Sequence, residues 1–216
     1  MTKQGVRMLP PAISLNQAIK LLRNLADISM LMGNMKNEFS HTIVGDALVN
    51  LFTLSESVQS TRIEGTQVTF TDVIDPSPEQ KKSWEQREVM NYQKALRDGL
   101  EQIKKGEPFS TRMLLRLHKI LMTDARGTSS AGGEFRKIQN FIGRDNNIEH
   151  ASYIPIGANE IPAYMENLEH YVNGYVHCSF IKHATEDVFV IDEKAPEILK
   201  LAVMHAQFES IHPFLD

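Results

Sequence analysis

The chain has 216 residues, of which 42% are hydrophobic and 23% charged, and its 23 basic and 27 acidic side chains leave a net charge of -4. This is ordinary globular composition with enough apolar material for a sizeable core, and it carries no basic stripe of the kind that marks a nucleic-acid binder. Cys178 is the sole cysteine. That excludes an intramolecular disulfide and a four-cysteine zinc site, and it points to a reducing, cytoplasmic setting. No stretch approaches the ~18 apolar residues of a membrane span, and the first eleven residues hold no apolar targeting segment.

Taken in chain order, Ser14 predicts a helix N-cap. Leu15, Ala18, Ile19, Leu22 and Ala26 follow at helical spacing, with Gly33 as the stop. A second helix is predicted from about Gly45 to Ile63, with Leu48, Leu51, Phe52, Ser55 and Val58 on one face and Gly65 ending it. A third starts on Ser77, with Pro78 at the first helical position and Gln80 completing a capping box, and runs to Gly106. A fourth begins at Ser110 and carries Met113, Leu114, Leu117 and Leu121, after which Gly127 to Gly133 reads as a flexible connector.

The period then changes. Gln139 to Ile142 is short and apolar, Gly143 to Asn147 has turn composition, and Ile148 to Ile156 is extended, because the residue before Pro155 is pushed out of the helical region. Together they predict a β-hairpin. Helices from about Ile161 to Asn173 and from about Ala195 to Ser210 complete the pattern. The class is mainly α, with an N-terminal helical region over 1–106 and a second region over 107–216.

Phosphate loops of the GxxxxGK type, GxGxxG, HExxH and GxSxG are all missing, so kinase, Rossmann, zincin and α/β-hydrolase chemistry have no support. His118 and His205 fall on apolar helical stripes and read as core or interface residues. Two segments carry chemistry. In Ile211-His212-Pro213-Phe214-Leu215-Asp216, proline stops a helix just after His212. Histidine as a residue type titrates near neutral pH and can take a proton from a hydroxyl. The carboxylate of Asp216, four residues on, can hold Mg2+ against phosphate oxygens. By spacing alone, a helix ending in a proline turn with a surface aspartate is the stronger explanation of these residues. The second segment is Ser60-Thr61-Arg62-Ile63-Glu64-Gly65, in which Ser60 and Glu64 lie one helical turn apart on one face. Glu64 near a helix C-terminus faces an unfavourable dipole and calls for a cationic partner, although from its residues alone the segment reads first as a helix C-cap with a solvated glutamate.

Together the two segments resemble the Fic (filamentation-induced-by-cAMP) family. Its active-site motif reads H-P-F-x-[D/E]-G-N-G-R-x-x-R, and His212 to Asp216 match the first five positions. Its inhibitory motif reads [S/T]-x-x-x-E-[G/N], and Ser60, Glu64 and Gly65 match it. Glu88 to Leu96, Leu117 to Leu121, Gly133-Glu134-Phe135-Arg136 with Ile142-Gly143, and Ala206 to Ile211 are similar to further family segments in the same order.

The resemblance implies a Fic-type helical bundle with a hairpin flap and an inhibitory helix at about 45–65. It implies a protein adenylyltransferase that moves AMP from ATP to a Ser, Thr or Tyr hydroxyl of a protein target, with His212 as the base and Asp216 as the Mg2+ ligand. Pro213 and Phe214 would be structural in the motif, and Ile142, Gly143, Tyr153 and Ile154 would lie in the flap that positions the target. Ser60, Glu64 and Gly65 would form the brake beside ATP. A homodimer is compatible with this, whereas nucleic-acid and membrane partners are not implied. The chain ends at Asp216, so the C-terminal part of the core, with its anion hole and arginines, lies outside these 216 residues. The 216-residue chain is therefore expected not to transfer AMP by itself. The alternatives that share these residues are removal of AMP or transfer of another phosphate-containing group, and, from a different class, a non-catalytic binding or regulatory module.

Overall fold

The computed structural model describes residues 3–40, 45–63, 65–74, 83–124, 132–175, 188–192 and 194–215. It is mainly helical. Its elements are β1 (Lys3–Gln4), β2 (Ala12–Ser14), α1 (Leu15–Ser40), α2 (Gly45–Ile63), α3 (Phe70–Ile74), α4 (Trp84–Lys104), α5 (Thr111–Leu121), β3 (Ile142–Gly143), β4 (Ala151–Ile154), α6 (Ile161–Val172), β5 (Val188–Val190) and α7 (Glu197–Ile211). No helix among the described residues is long and apolar enough to cross a membrane. The chain packs as two units, Met1–Asn34 with Phe135–Leu215, and Met35–Glu134.

Two helices differ from the sequence expectation. Ser14 caps α1 as predicted, its Oγ accepting from the Gln17 N–H at 3.4 Å while Gln17 Oε1 accepts from the Ser14 N–H at 3.0 Å. The helix then runs through Gly33 to Ser40. A mid-helix glycine costs about 1 kcal/mol, and the helix-forming residues after it outweigh that. The helix carrying Trp84 is capped by Ser83 with Gln86, in a complete capping box, and not by Ser77. Ser77 to Gln80 lie outside the described residues, as do Gly127 to Ala131 of the predicted connector. The five-residue α3 was not anticipated.

The first unit is a small mixed structure. β4 is the central strand of a three-stranded sheet in the order β1-β4-β3, and β2 pairs antiparallel with β5. α6 packs on α7, burying Ile161, Met165, Leu168, Tyr171, Leu199 and Ile211. The N-terminal segment is laced onto this frame by side chains that satisfy its backbone. Tyr164 Oη donates to Val6 O at 2.8 Å and Gln207 Nε2 to Arg7 O at 3.0 Å. Buried Asn167 grips Leu9 at both ends, accepting its N–H at 2.8 Å and donating to its carbonyl at 3.0 Å. Buried backbone polar groups need such partners, since each one left unpaired costs about 1–3 kcal/mol.

The second unit is helical. α4 packs against α2 and α5, and α2 against α3. Its apolar centre is small and β-branched, with buried Val58, Val68 and Val89 and half-buried Val73 against them. Asn91 Nδ2 of α4 donates to the carbonyls of Leu121 and Thr123 at 3.1 and 2.6 Å. Those are carbonyls at the C-terminal end of α5, which no intrahelical donor reaches. His118 of α5 is buried, and its Nδ1 accepts from the Gly133 N–H at 3.0 Å.

Candidate active site

α7 ends on His212. The His212 N–H closes the last turn on Phe208 O at 3.0 Å, and His212 itself sits in the left-handed region at φ 47, ψ 65. This is the single-bond left-handed helix end, normally the place of a glycine. Pro213 follows, buried, and cannot continue the helix. Phe214 is 8% exposed and folds back onto Phe135 and Phe208, with ring centroids 5.8 and 6.2 Å away. The aromatic packing carries the chain away from the helix axis and leaves His212 half-exposed at the turn.

A non-glycine residue in this conformation costs about 1–2 kcal/mol and persists where its surroundings over-determine it. Here the surroundings are Arg136, which is 3% exposed. Its Nε donates to His212 O at 2.8 Å, and its backbone N–H to Pro213 O at 2.8 Å. Nη2 reaches Ile156 O at 2.6 Å and Ile211 O at 3.5 Å, and Nη1 reaches Ile138 O at 3.0 Å. Burial pulls the guanidinium below its usual value, against a smaller opposing effect of Tyr153. No carboxylate ion-pairs with it among the described residues.

The hairpin stands on the same arginine. β3 and β4 pair antiparallel, Ile142 opposite Tyr153 and Gly143 opposite Ala151, with a register shift between the two pairs. Its turn is tied by Asp145, whose carboxylate meets His150 Nδ1 at 2.8 Å and accepts the Asn147 N–H at 3.0 Å. Those two contacts, the His150 one first, hold the Asp145 carboxyl below the ordinary carboxylate range. Tyr153 Oη donates to Ser210 O in the last turn of α7 at 2.6 Å, and burial pushes its phenol up. The far edge of β4 is occupied. β1 runs parallel to it, Lys3 opposite Tyr153 and Gln4 opposite Ile154, and the Gly5 N–H donates to Ile154 O at 2.8 Å. Of the four flap residues named from sequence, Tyr153 and Ile154 are thus enclosed between strands. Ile142, 47% exposed, and Gly143 form an edge with no second partner strand among the described residues.

A cleft of about 610 Å³ opens between Gln4–Arg7 and Ile154–Gly157, floored by Glu160 and Tyr164, and His212 does not line it. Among the described residues no three His, Cys, Asp or Glu side chains gather as a metal site. Asp216 lies outside the described residues, as does Glu64.

In the second unit, α2 carries Ser60 half-buried. Glu56 on the same helix accepts from the Tyr92 phenol of α4, its Oε1 2.9 Å away. After Ile63 the chain turns with Gly65 at φ 97. The Gly65 N–H bonds Arg62 O at 3.1 Å, and the Thr66 N–H bonds Thr61 O at 3.2 Å. These are the two bonds of a Schellman end.

Sequence reasoning missed Arg136 as a structural centre and missed β1 altogether. Arg136 reaches carbonyls 75 and 76 residues away, and a two-residue strand has no period to detect.

Two family models match the chain. The Fic/DOC family N-terminal model covers residues 18–101 and the Fic/DOC family model covers residues 108–216. No curated protein matches. Among solved structures, a Fic family protein from Desulfovibrio desulfuricans G20 is similar at 20% identity with a TM-score of 0.61. That match covers 97% of this chain and 55% of the other, so the chain spans little more than half of that relative's length. At such identity the likeness shows the fold.

Proposed function

The chain belongs to the Fic/DOC family, and from that premise we propose that it is the His212-bearing part of a protein adenylyltransferase that moves AMP from ATP to a Ser, Thr or Tyr hydroxyl of a target protein in the cytoplasm. The observation that carries this reading is His212, half-exposed on a braced left-handed turn that shares its anchoring arginine with the hairpin.

A target segment pairs along the open edge at Ile142–Gly143, backbone to backbone, which recognises an extended chain with little regard to its side chains. Its hydroxyl is then held for in-line attack, where positioning supplies much of the rate. The His212 imidazole accepts the hydroxyl proton. The oxygen bonds to the α-phosphorus of ATP, the bond from that phosphorus to the β-bridging oxygen breaks, and pyrophosphate leaves. Mg2+ would be held by the Asp216 carboxylate together with substrate phosphates, an arrangement common for this ion. When bound, the metal supplies charge neutralisation at the phosphates. Glu64, directly after the α2 helix, is the brake, with Ser60 and Gly65 beside it in the same inhibitory segment, and Glu56 of that helix is tied to Tyr92 of α4.

The test uses the intact protein with labelled ATP and Mg2+. Glu64→Gly raises labelling of protein hydroxyls above wild type, and His212→Ala in the same background removes it, by about 10²–10⁴-fold for loss of a general base. Silence from the Glu64→Gly form overturns the transferase reading and favours a binding module.

A further inference from the structure

Arg136 takes no part in proton transfer or phosphate binding as described above, yet its contacts converge on the residue that does. We infer that Arg136 is a positioning residue for the proposed reaction, setting the direction of the His212 imidazole and tying it to the edge on which the target lies. The inference rests on His212 being the base.

The geometry is particular. The carbonyls that Arg136 engages include 211, 212 and 213 in succession. The carbonyls of Ile211 and His212 belong to the peptide units before and after His212, the first touched at 3.5 Å and the second held at 2.8 Å, and that of Pro213 belongs to the next unit, so the turn is bracketed with its strongest hold just after His212. In this region of torsion space a small rotation redirects the Cα–Cβ bond, and the imidazole follows. The other two carbonyls, Ile138 and Ile156, lie just before β3 and just after β4, at the two roots of the hairpin. One rigid planar group therefore holds the catalytic turn and both roots of the target-pairing hairpin in a common frame. Tyr153 adds a second tie from β4 to Ser210 O.

The fork matters more than the charge. Among the described residues every acceptor is a neutral backbone carbonyl, and they surround the guanidinium in several directions. Lysine offers its donors from a single point and cannot span that spread. A residue that only filled space or neutralised charge would be replaced by lysine with little consequence.

The experiment compares wild type, Arg136→Lys and Arg136→Gln in the intact protein, with circular dichroism and melting to establish folding. Histidine ring resonances are read by NMR with 13C-labelled histidine. In a folded variant the His212 resonance moves or broadens while those of His118 and His170 stay. kcat for AMP transfer falls by about 10²-fold, the scale of a misplacement near 1 Å, with KM for ATP nearly unchanged. The inference is overturned by a folded Arg136→Lys variant with an unmoved His212 resonance or an unchanged kcat. It is equally overturned if both variants fail to fold, since Arg136 is then a core staple. A wild-type protein without transfer activity removes the adenylyltransferase reading separately, and the His212 resonance still decides whether Arg136 sets the turn.

Discussion

Two helices of this protein end in a left-handed turn beside a residue singled out for function, and they reach it by opposite means. α2 ends with Gly65 at φ 97, exposed, with no heavy atom within 4 Å of where a Cβ would stand. Its two Schellman bonds are local, and glycine makes the turn at no steric cost. α7 ends with His212 at φ 47, where a side chain has to be accommodated, and the turn is held by an arginine from 76 residues away. Local chemistry alone suffices for the first end, while tertiary structure imposes the second. The lesson concerns what each end must present. A turn that only stops a helix can use glycine. A turn that aims an imidazole, as proposed for His212, has to carry a side chain in a costly conformation, and here the fold supplies the bracing.

The largest effect that sharpens this contrast comes from His212→Gly. It relieves the left-handed strain of about 1–2 kcal/mol, offset by the extra unfolded-state freedom of glycine, about 0.5–1 kcal/mol. Stability measured by urea unfolding therefore stays level or rises by up to about 1.5 kcal/mol, while AMP transfer falls about 10²–10⁴-fold. A stability loss beyond about 1 kcal/mol would break the comparison, because the imidazole itself would then be holding the helix end.

How far the sequence could show this follows from the same distinction. Features written in neighbouring residues were legible. The α2 boundaries, the Ser110 start of α5, the hairpin before Pro155 and the ends of α6 and α7 all came within a few residues of the structure. The start of α4 shows the limit. Ser77-Pro78-Glu79-Gln80 and Ser83-Trp84-Glu85-Gln86 are both capping boxes by pattern. The second is used, and long-range bonds accompany it. Glu85 Oε1 accepts the Gln67 N–H at 3.0 Å, and Gln86 Nε2 donates to Asp72 O at 3.2 Å. For the candidate site, the residue types at 212–216 and 60–65 were visible. The left-handed state of His212, the Arg136 bracket and the β1 strand that covers β4 were not. Those rest on partners some 75 to 150 residues away, about which the local pattern carries no signal.

Gly65→Ala probes the other helix end. The added methyl meets nothing within 4 Å, so the cost is conformational, about 1 kcal/mol after allowing for the stiffer unfolded chain. Urea unfolding reads it directly. A loss well above that, or none, would mean that the α2 end is not governed by its own torsions, and the contrast with α7 would lose one side.

The smallest effect tests whether α2 is tied down by polar contacts at all, as α7 is. Tyr92→Phe removes the phenol that joins Glu56 to α4. The bond is partly exposed, so its loss costs about 0.5 kcal/mol at neutral pH. The pH dependence has a definite sign. Burial first, and then the neighbouring Glu56, push the Tyr92 phenol above its ordinary value of 10.0. The folded state thus keeps the proton longer than the unfolded one, and stability falls as pH rises beyond 10.0. In the Tyr92→Phe protein that alkaline fall is shallower, which a series of urea unfolding curves across this range measures. An unchanged alkaline slope would assign the fall to other groups and leave α2 held on α4 by the Val58, Val68 and Val89 cluster alone.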